Sequence, residues 1–160
     1  MVKTNSKMKY LLEKDIESKE YIKVNLQSIS KILNPHFVAV HDCVIIDIDN
    51  EIKIEKINFD RILSMFQDRT GYEASCNEMR LNDYIDLPNE TAALKTAEII
   101  MQVWENKLLL EYPQCSFCMI LSIHEGYATL RFHQIRDNEQ PWLDDDLESY
   151  KDEAIMTKFF

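Results

Sequence analysis

Glycine occurs only twice in these 160 residues, at Gly71 and Gly126. Phosphate-cradling loops, dinucleotide-binding turns and the nucleophile elbow all need clustered glycines, because the backbone must approach a ligand closely or take positive φ. Two isolated glycines build none of these, which argues against nucleotide-driven enzymes and serine hydrolases of the α/β type. Long apolar runs are missing too. The longest, near "FCMILSI", falls far short of the ~20 residues a membrane span requires. The basic start, "MVKTNSKMK", is not followed by an apolar stretch with a small-residue cleavage site, so a secretory signal is not expected and the cytoplasm is. Cysteine is sparse. Cys43, Cys76, Cys115 and Cys118 sit in or beside apolar segments, where a reducing compartment leaves them as small buried hydrophobes.

What the chain has in excess is negative charge. The formal net charge is −10, unevenly spread: residues 1–36 hold seven Lys and four acids (+3), and residues 37–160 hold 11 basic and 24 acidic residues (−13). A field of that sign repels nucleic acid and anionic lipid, and raises the encounter rate with basic partners. Neither nucleic acid nor membrane is therefore an expected partner.

The chain length suits one domain. Residues 1–9 read as a loose N-terminal arm and residues 10–160 as the domain. From Ser18 to Leu33, the residues Tyr21, Ile22, Leu26, Ile29, Ile32 and Leu33 recur at helical spacing, and "NP" ends the run. "FVAVHDCVIIDIDNEIKIEKI" reads as a β-hairpin turning at Asp49 and Asn50, between Ile46/Ile48 and Ile52/Ile54. "NFDRILSMFQD" predicts a short helix capped by Asn58 or Asp60, and "EMRLNDYIDL" a strand with a polar outer face. The clearest helix starts at Asn89 as N-cap and closes before Pro113. Its apolar face is Ala93, Ala97, Ile100, Trp104 and Leu108, widened by Leu94, Val103 and Leu110. Then "CSFCMILSIHEGYATLRFHQIR" predicts two strands joined at Glu125 and Gly126, with Leu130 and Phe132 on one face of the second and Thr129, Arg131 and His133 on the other. A helical turn near Asp144 to Ser149 and a last strand in "EAIMTKFF" complete the pattern. The fold class expected is α+β: a single domain with an antiparallel, meandering sheet packed against one long helix, flanked by shorter helices.

Three constellations bear on chemistry. "CSFC" has the spacing of a zinc knuckle, but Cys115 and Cys118 lie in a segment that reads as a strand, where positions three apart point to opposite faces; His41 and Cys43 would have to complete the site. His133 beside Arg131 could serve a small hydrolase as a base, although such pairs more often answer nearby acids. Asp144, Asp145, Asp146 and Glu148 could hold a divalent metal, but consecutive acids diverge, and acids in a first helical turn anchored by Trp142 and Leu143 explain the run equally well. Buried thiols, a surface pair and an anchored turn are the plainer explanations. No enzyme activity and no cofactor are expected.

The order "AEIIMQVWENKLLLEYP", "FCMILSIHEGYATLRFHQIR" and "PWLDDDLESYKDEAI" is similar to bacterial immunity proteins of contact-dependent growth inhibition and polymorphic toxin systems, over roughly residues 75–156. The resemblance implies a cytoplasmic protein that binds the C-terminal toxin domain of a sibling cell's effector, often a basic nuclease, and occludes it. It also implies that Arg131, His133 and Trp142 form a structural clasp, with Arg131 reaching Asp145 or Glu148. Partner contact is then expected at Asp47, Asp49, Glu51 and Glu55 around the hairpin tip, and secondarily at Asp144, Asp145, Asp146 and Glu148. A non-toxin adaptor subunit is the alternative from another class. Oligomeric state is left open.

Overall fold

The computed structural model describes residues 1–17 and 25–160. Strand β1 (Val2–Thr4) and helix α1 (Ser6–Glu17) open the chain, followed by α2 (Leu26–Leu33), β2 (His36–Val40), β3 (Cys43–Asp47), α3 (Phe59–Phe66), α4 (Arg69–Cys76), β4 (Met79–Arg80), α5 (Glu90–Glu111), β5 (Phe117–His124), β6 (Tyr127–Gln134) and β7 (Ala154–Phe159). One sheet has the order β1-β7-β5-β6-β4 and is antiparallel throughout; β2 and β3 form a separate pair. The class is α+β. Among the described residues, no helix is long and apolar enough to cross a membrane.

The first nine residues correct the expectation of a loose arm. Strand β1 pairs with β7, the backbone amide of Asn5 donates to Ile155 O, and Met8 is fully buried in the main core. Ser18, Tyr21 and Ile22 of the expected first helix lie outside the described residues; its remainder is α2, capped by Asn25. The hairpin is also displaced. It turns at His41 and Asp42, both at positive φ, with Val40 opposite Cys43, which is the two-residue loop whose twist matches the strands it joins. The His41 ring stacks on Phe59 and holds that loop down. No strand forms over 49–53. "EMRLNDYIDL" gives only the two-residue β4 and one 3-10 turn.

Local signals elsewhere read true. Asn58 caps α3 through Arg61 N, and Asn89 caps α5 through Ala92 N. The β5–β6 turn falls at Glu125 and Gly126 (φ 50° and 82°). Gly71, at the α3–α4 junction, has no room for a side chain, since a Cβ would meet Phe66 O at 2.5 Å. Leu130 and Phe132 face the core with Trp104, Phe117 and Phe37 in edge-to-face contacts, and Trp104 Nε1 donates to Ile32 O at 2.8 Å, tying α2 to α5. Of the expected face of α5, Leu110 departs: it is 81% exposed.

Two polar devices complete the architecture. Strands β3 and β6 share no backbone ladder, so side chains of α4 stand in for one. Glu73 accepts from Val44 N (2.7 Å) and Gln134 Nε2 (3.0 Å) through Oε1, and from Gln134 N and Arg136 Nη1 (both 2.8 Å) through Oε2. One turn later, Asn77 accepts from Ile46 N and donates to Val44 O and Phe132 O. Both residues are fully buried. A buried carboxylate is tolerable only when its lone pairs are answered, as here by four hydrogen bonds, one of them from a guanidinium. The second device is residues 135–153, which lead from β6 back to β7 by way of Trp142, the acidic run and the N-terminus of α1.

Candidate functional site: an acidic groove at the start of the long helix

The acidic residues singled out in sequence divide by what the fold sets opposite them. Asp47 is buried and accepts from Glu51 N (2.9 Å) and Ile52 N (3.0 Å), closing the loop after β3. Asp49 pairs with Lys31 at 3.1 Å, while Glu51 and Glu55 are exposed. In the acidic run, Asp145 meets Lys3 at 3.3 Å, Asp146 accepts from Glu148 N, and Glu148 accepts from both the amide (2.9 Å) and hydroxyl (2.8 Å) of Ser6. Glu148 thus serves free amides at the start of α1, where the helix dipole favours an anion. Next to it, Asn5 joins four groups: its Oδ1 accepts from Met8 N and Ile155 N, and its Nδ2 donates to Glu153 O and Tyr150 O. Of the run, only Asp144 presents a carboxylate with no partner among the described residues.

Of the residues expected to form a clasp, Arg131 and Trp142 meet, but the ion pair to the acidic run does not form. Arg131 lies over the Trp142 ring at 5.5 Å, but its guanidinium reaches Glu78 at 2.6 Å rather than Asp145 or Glu148. Glu78 sits just before β4, which pairs with β6, so it is nearer than any residue of the acidic run. His133 is buried. Its Nδ1 lies 2.8 Å from Gln134 O, a contact that needs the proton on Nδ1, which leaves Nε2 bare and without a partner. Burial pushes its pKa down, opposed by the Gln134 hydrogen bond and by Glu73. Cys118, its cross-strand neighbour, is buried and has its thiol pushed up to about 12 by desolvation; Cys43 is raised to about 12 likewise. Thiols so perturbed supply almost no thiolate near neutral pH. Among the described residues, no three of His, Cys, Asp and Glu gather as metal ligands do.

One opening among the described residues was not legible as a site. Segment 82–90, the β5–β6 turn and Lys14 of α1 enclose a groove of about 680 Å³. Ile85 and Leu87 are buried beneath it, Tyr84 and Tyr127 line it, and Asp86, Glu90 and Glu125 supply carboxylates against Lys14, the one cation among the described residues that line it. Asn82 fixes the geometry: its Nδ2 donates to Gly126 O (3.2 Å) and its Oδ1 accepts from Ala128 N (2.9 Å), clamping the turn to the segment opposite. A second opening of about 380 Å³, sharing Tyr84, adds Asp49 and Asp83. Among the described residues, Asp83, Asp86 and Glu90 have no cation within ion-pair distance. The signal in sequence is "NDYIDLPNE", three acids with no basic residue among nine.

Such a groove can take a basic side chain: aromatic walls carry the stem, carboxylates meet the charge, and a clamped backbone keeps both in place. Comparison with curated proteins and comparison with solved structures returned no match. Over residues 3–158, nearly its whole length, the chain matches the model of the Uncharacterized protein PM0498 family, and it belongs to that family.

Proposed function

We propose that this protein is a stoichiometric inhibitor of the immunity type, which acts in the cytoplasm by masking the cationic surface of a toxin domain, a nuclease in the first instance. The observation that carries the proposal is the division among carboxylates. Those of the acidic run mostly serve the fold, whereas Asp86 and Glu90, which have no cation within ion-pair distance among the described residues, stand with Glu125 and two tyrosines around a preformed groove, and Asp83, likewise without one, lines the opening beside it. Unpaired surface carboxylates occupy the positions that phosphates would take on a basic partner, and the net charge of −10 speeds encounter before contact. Tyrosine beside a charged rim is the usual composition of an interface anchor. Inhibition by occlusion asks for no catalytic group, in keeping with a His133 whose Nδ1 is engaged and thiols held protonated.

The test begins with affinity capture from the producing strain and mass spectrometry of what co-purifies. The expected partner is a basic domain whose nucleic acid cleavage falls to background at one equivalent of this protein. Substituting Asp86→Lys and Glu125→Lys together should slow association about tenfold or more at low salt, with less effect at high salt. A partner whose activity is untouched, or association kinetics indifferent to both reversals, would refute the proposal.

A further inference from the structure

Two tyrosines line the groove at the start of α5, and the backbone that carries both is fixed by one side chain. Tyr127 lies between the two residues that Asn82 holds, Gly126 through its carbonyl and Ala128 through its amide. Tyr84 is two residues beyond Asn82, and its amide donates to Leu81 O at 3.0 Å, as that of Ile85 does. Tyr127 is 66% exposed on this held turn, so its ring is offered to solvent in place, with no backbone left to order when something binds. The carboxylates around the rings are spread out. Three of them border the groove, yet among the described residues no three of His, Cys, Asp and Glu gather closely enough to hold a metal ion.

That spread selects among cations. A compact one, whether a metal ion or the ammonium of a lysine, reaches one such acid at a time and holds tightly to its water. A guanidinium is planar and weakly hydrated, offers five N–H groups in a fixed fork and stacks on aromatic faces, so separated acids and tyrosine rings act on it together. The groove, at about 680 Å³, is roomy enough for a long side chain with the backbone on either side of it. Lys14 enters the same space from α1. It is exposed and has no carboxylate within ion-pair distance among the described residues, so its charge opposes an incoming cation without being committed to any one acid. We infer that the groove takes one arginine side chain of the basic partner, laid along Tyr84 and Tyr127 with its guanidinium among Asp86, Glu90 and Glu125, and that Lys14 is the internal competitor it displaces; the assignment of the groove to a partner rests on the inhibitor reading above.

Titrating the full chain at low salt with N-acetyl-arginine amide and with N-acetyl-lysine amide, followed by amide shifts in heteronuclear NMR, tests the occupant without the partner. Arginine amide should shift residues 82–90 and 125–128, with dissociation in the range of about 1–10 mM that suits a lone side chain, and should bind at least about threefold more tightly than lysine amide. Tyr127→Leu keeps the bulk and removes the ring, and should weaken arginine amide by about threefold or more while lysine amide changes little. Lys14→Gln should strengthen both by about twofold, because a like charge is gone. Shifts centred on 144–148, which mark unselective attraction to acid, lysine amide bound as tightly as arginine amide, or affinities indifferent to Tyr127→Leu or to Lys14→Gln would each overturn the inference. The inhibitor reading fails separately, on partner association that ignores Asp86→Lys with Glu125→Lys; reversals that slow the partner while arginine amide passes the groove by refute the arginine alone.

Discussion

The run 144–148 and the segment 82–90 look alike as strings of acid, four in five residues against three in nine, yet they do opposite things. In the run, Asp145 meets Lys3, Asp146 closes its own turn and Glu148 binds the first amide of α1, so the charges hold the two ends of the chain together. In the segment, Asp83, Asp86 and Glu90 meet no cation among the described residues; Asp86 and Glu90 border the groove and Asp83 the opening beside it. The contrast teaches that a carboxylate's availability depends on what the fold brings to it, not on how many acids stand in a row.

The comparison breaks hardest at Glu73, the extreme of a carboxylate committed inside. Glu73→Ala strands Arg136 and three donors from β3 and β6, so about 3–5 kcal/mol of stability should be lost, read by urea unfolding. Acid should be the next most damaging change. The folded state holds His133 below its ordinary pKa of 6.5 because burial disfavours the cation, among Glu73, Arg136 and Asp68. An unfolded chain therefore binds the proton first, and stability falls as pH drops below 6.5. Burial raises Glu139, but hydrogen bonds from the Thr70 hydroxyl and amide and the charge of Arg136 outweigh it, so its pKa lies below the usual 4.5. The stability Glu139 contributes is complete above 4.5 and is lost as pH falls through its lower folded value. Tm measured from pH 7 down to about 2 should decline in these two stages, the first absent in His133→Phe.

Glu148→Ala should cost about 1 kcal/mol, as loss of a helix cap does, with the damage in hydrogen exchange confined to β1, α1 and the run itself. The smallest effect belongs to the groove. Asp86→Lys and Glu125→Lys should change stability by no more than about 0.5 kcal/mol while slowing partner association. A large loss of stability there would erase the distinction between the two regions.

Much of the scaffold was legible because its signals are local. Asn58 and Asn89 cap helices by reaching three residues ahead, and the Glu125-Gly126 turn follows from backbone conformation. The alternation Leu130/Phe132 against Arg131/His133 is a matter of strand period. The hairpin went astray because two sites offered turn chemistry, Asp49-Asn50 and His41-Asp42, and burial of Val40, Cys43 and Ile45 against Tyr72 favoured the second. Strand β1 carries no local signal, since its partner, β7, lies at the other end of the chain. Leu110 shares the helical period of the core face but lies exposed, because that period counts faces and does not say how far a neighbouring sheet extends.

The amino-acid order by itself determined the long helix, its cap, the β5–β6 hairpin and the acidic character of the body, all set by interactions a few residues in range or by simple counting. Only the tertiary structure decided which acids are engaged. Glu73 meets Arg136 across 63 positions and Lys3 meets Asp145 across 142, and a charge is neutralised by whatever lies within a few ångströms in space, however distant in sequence.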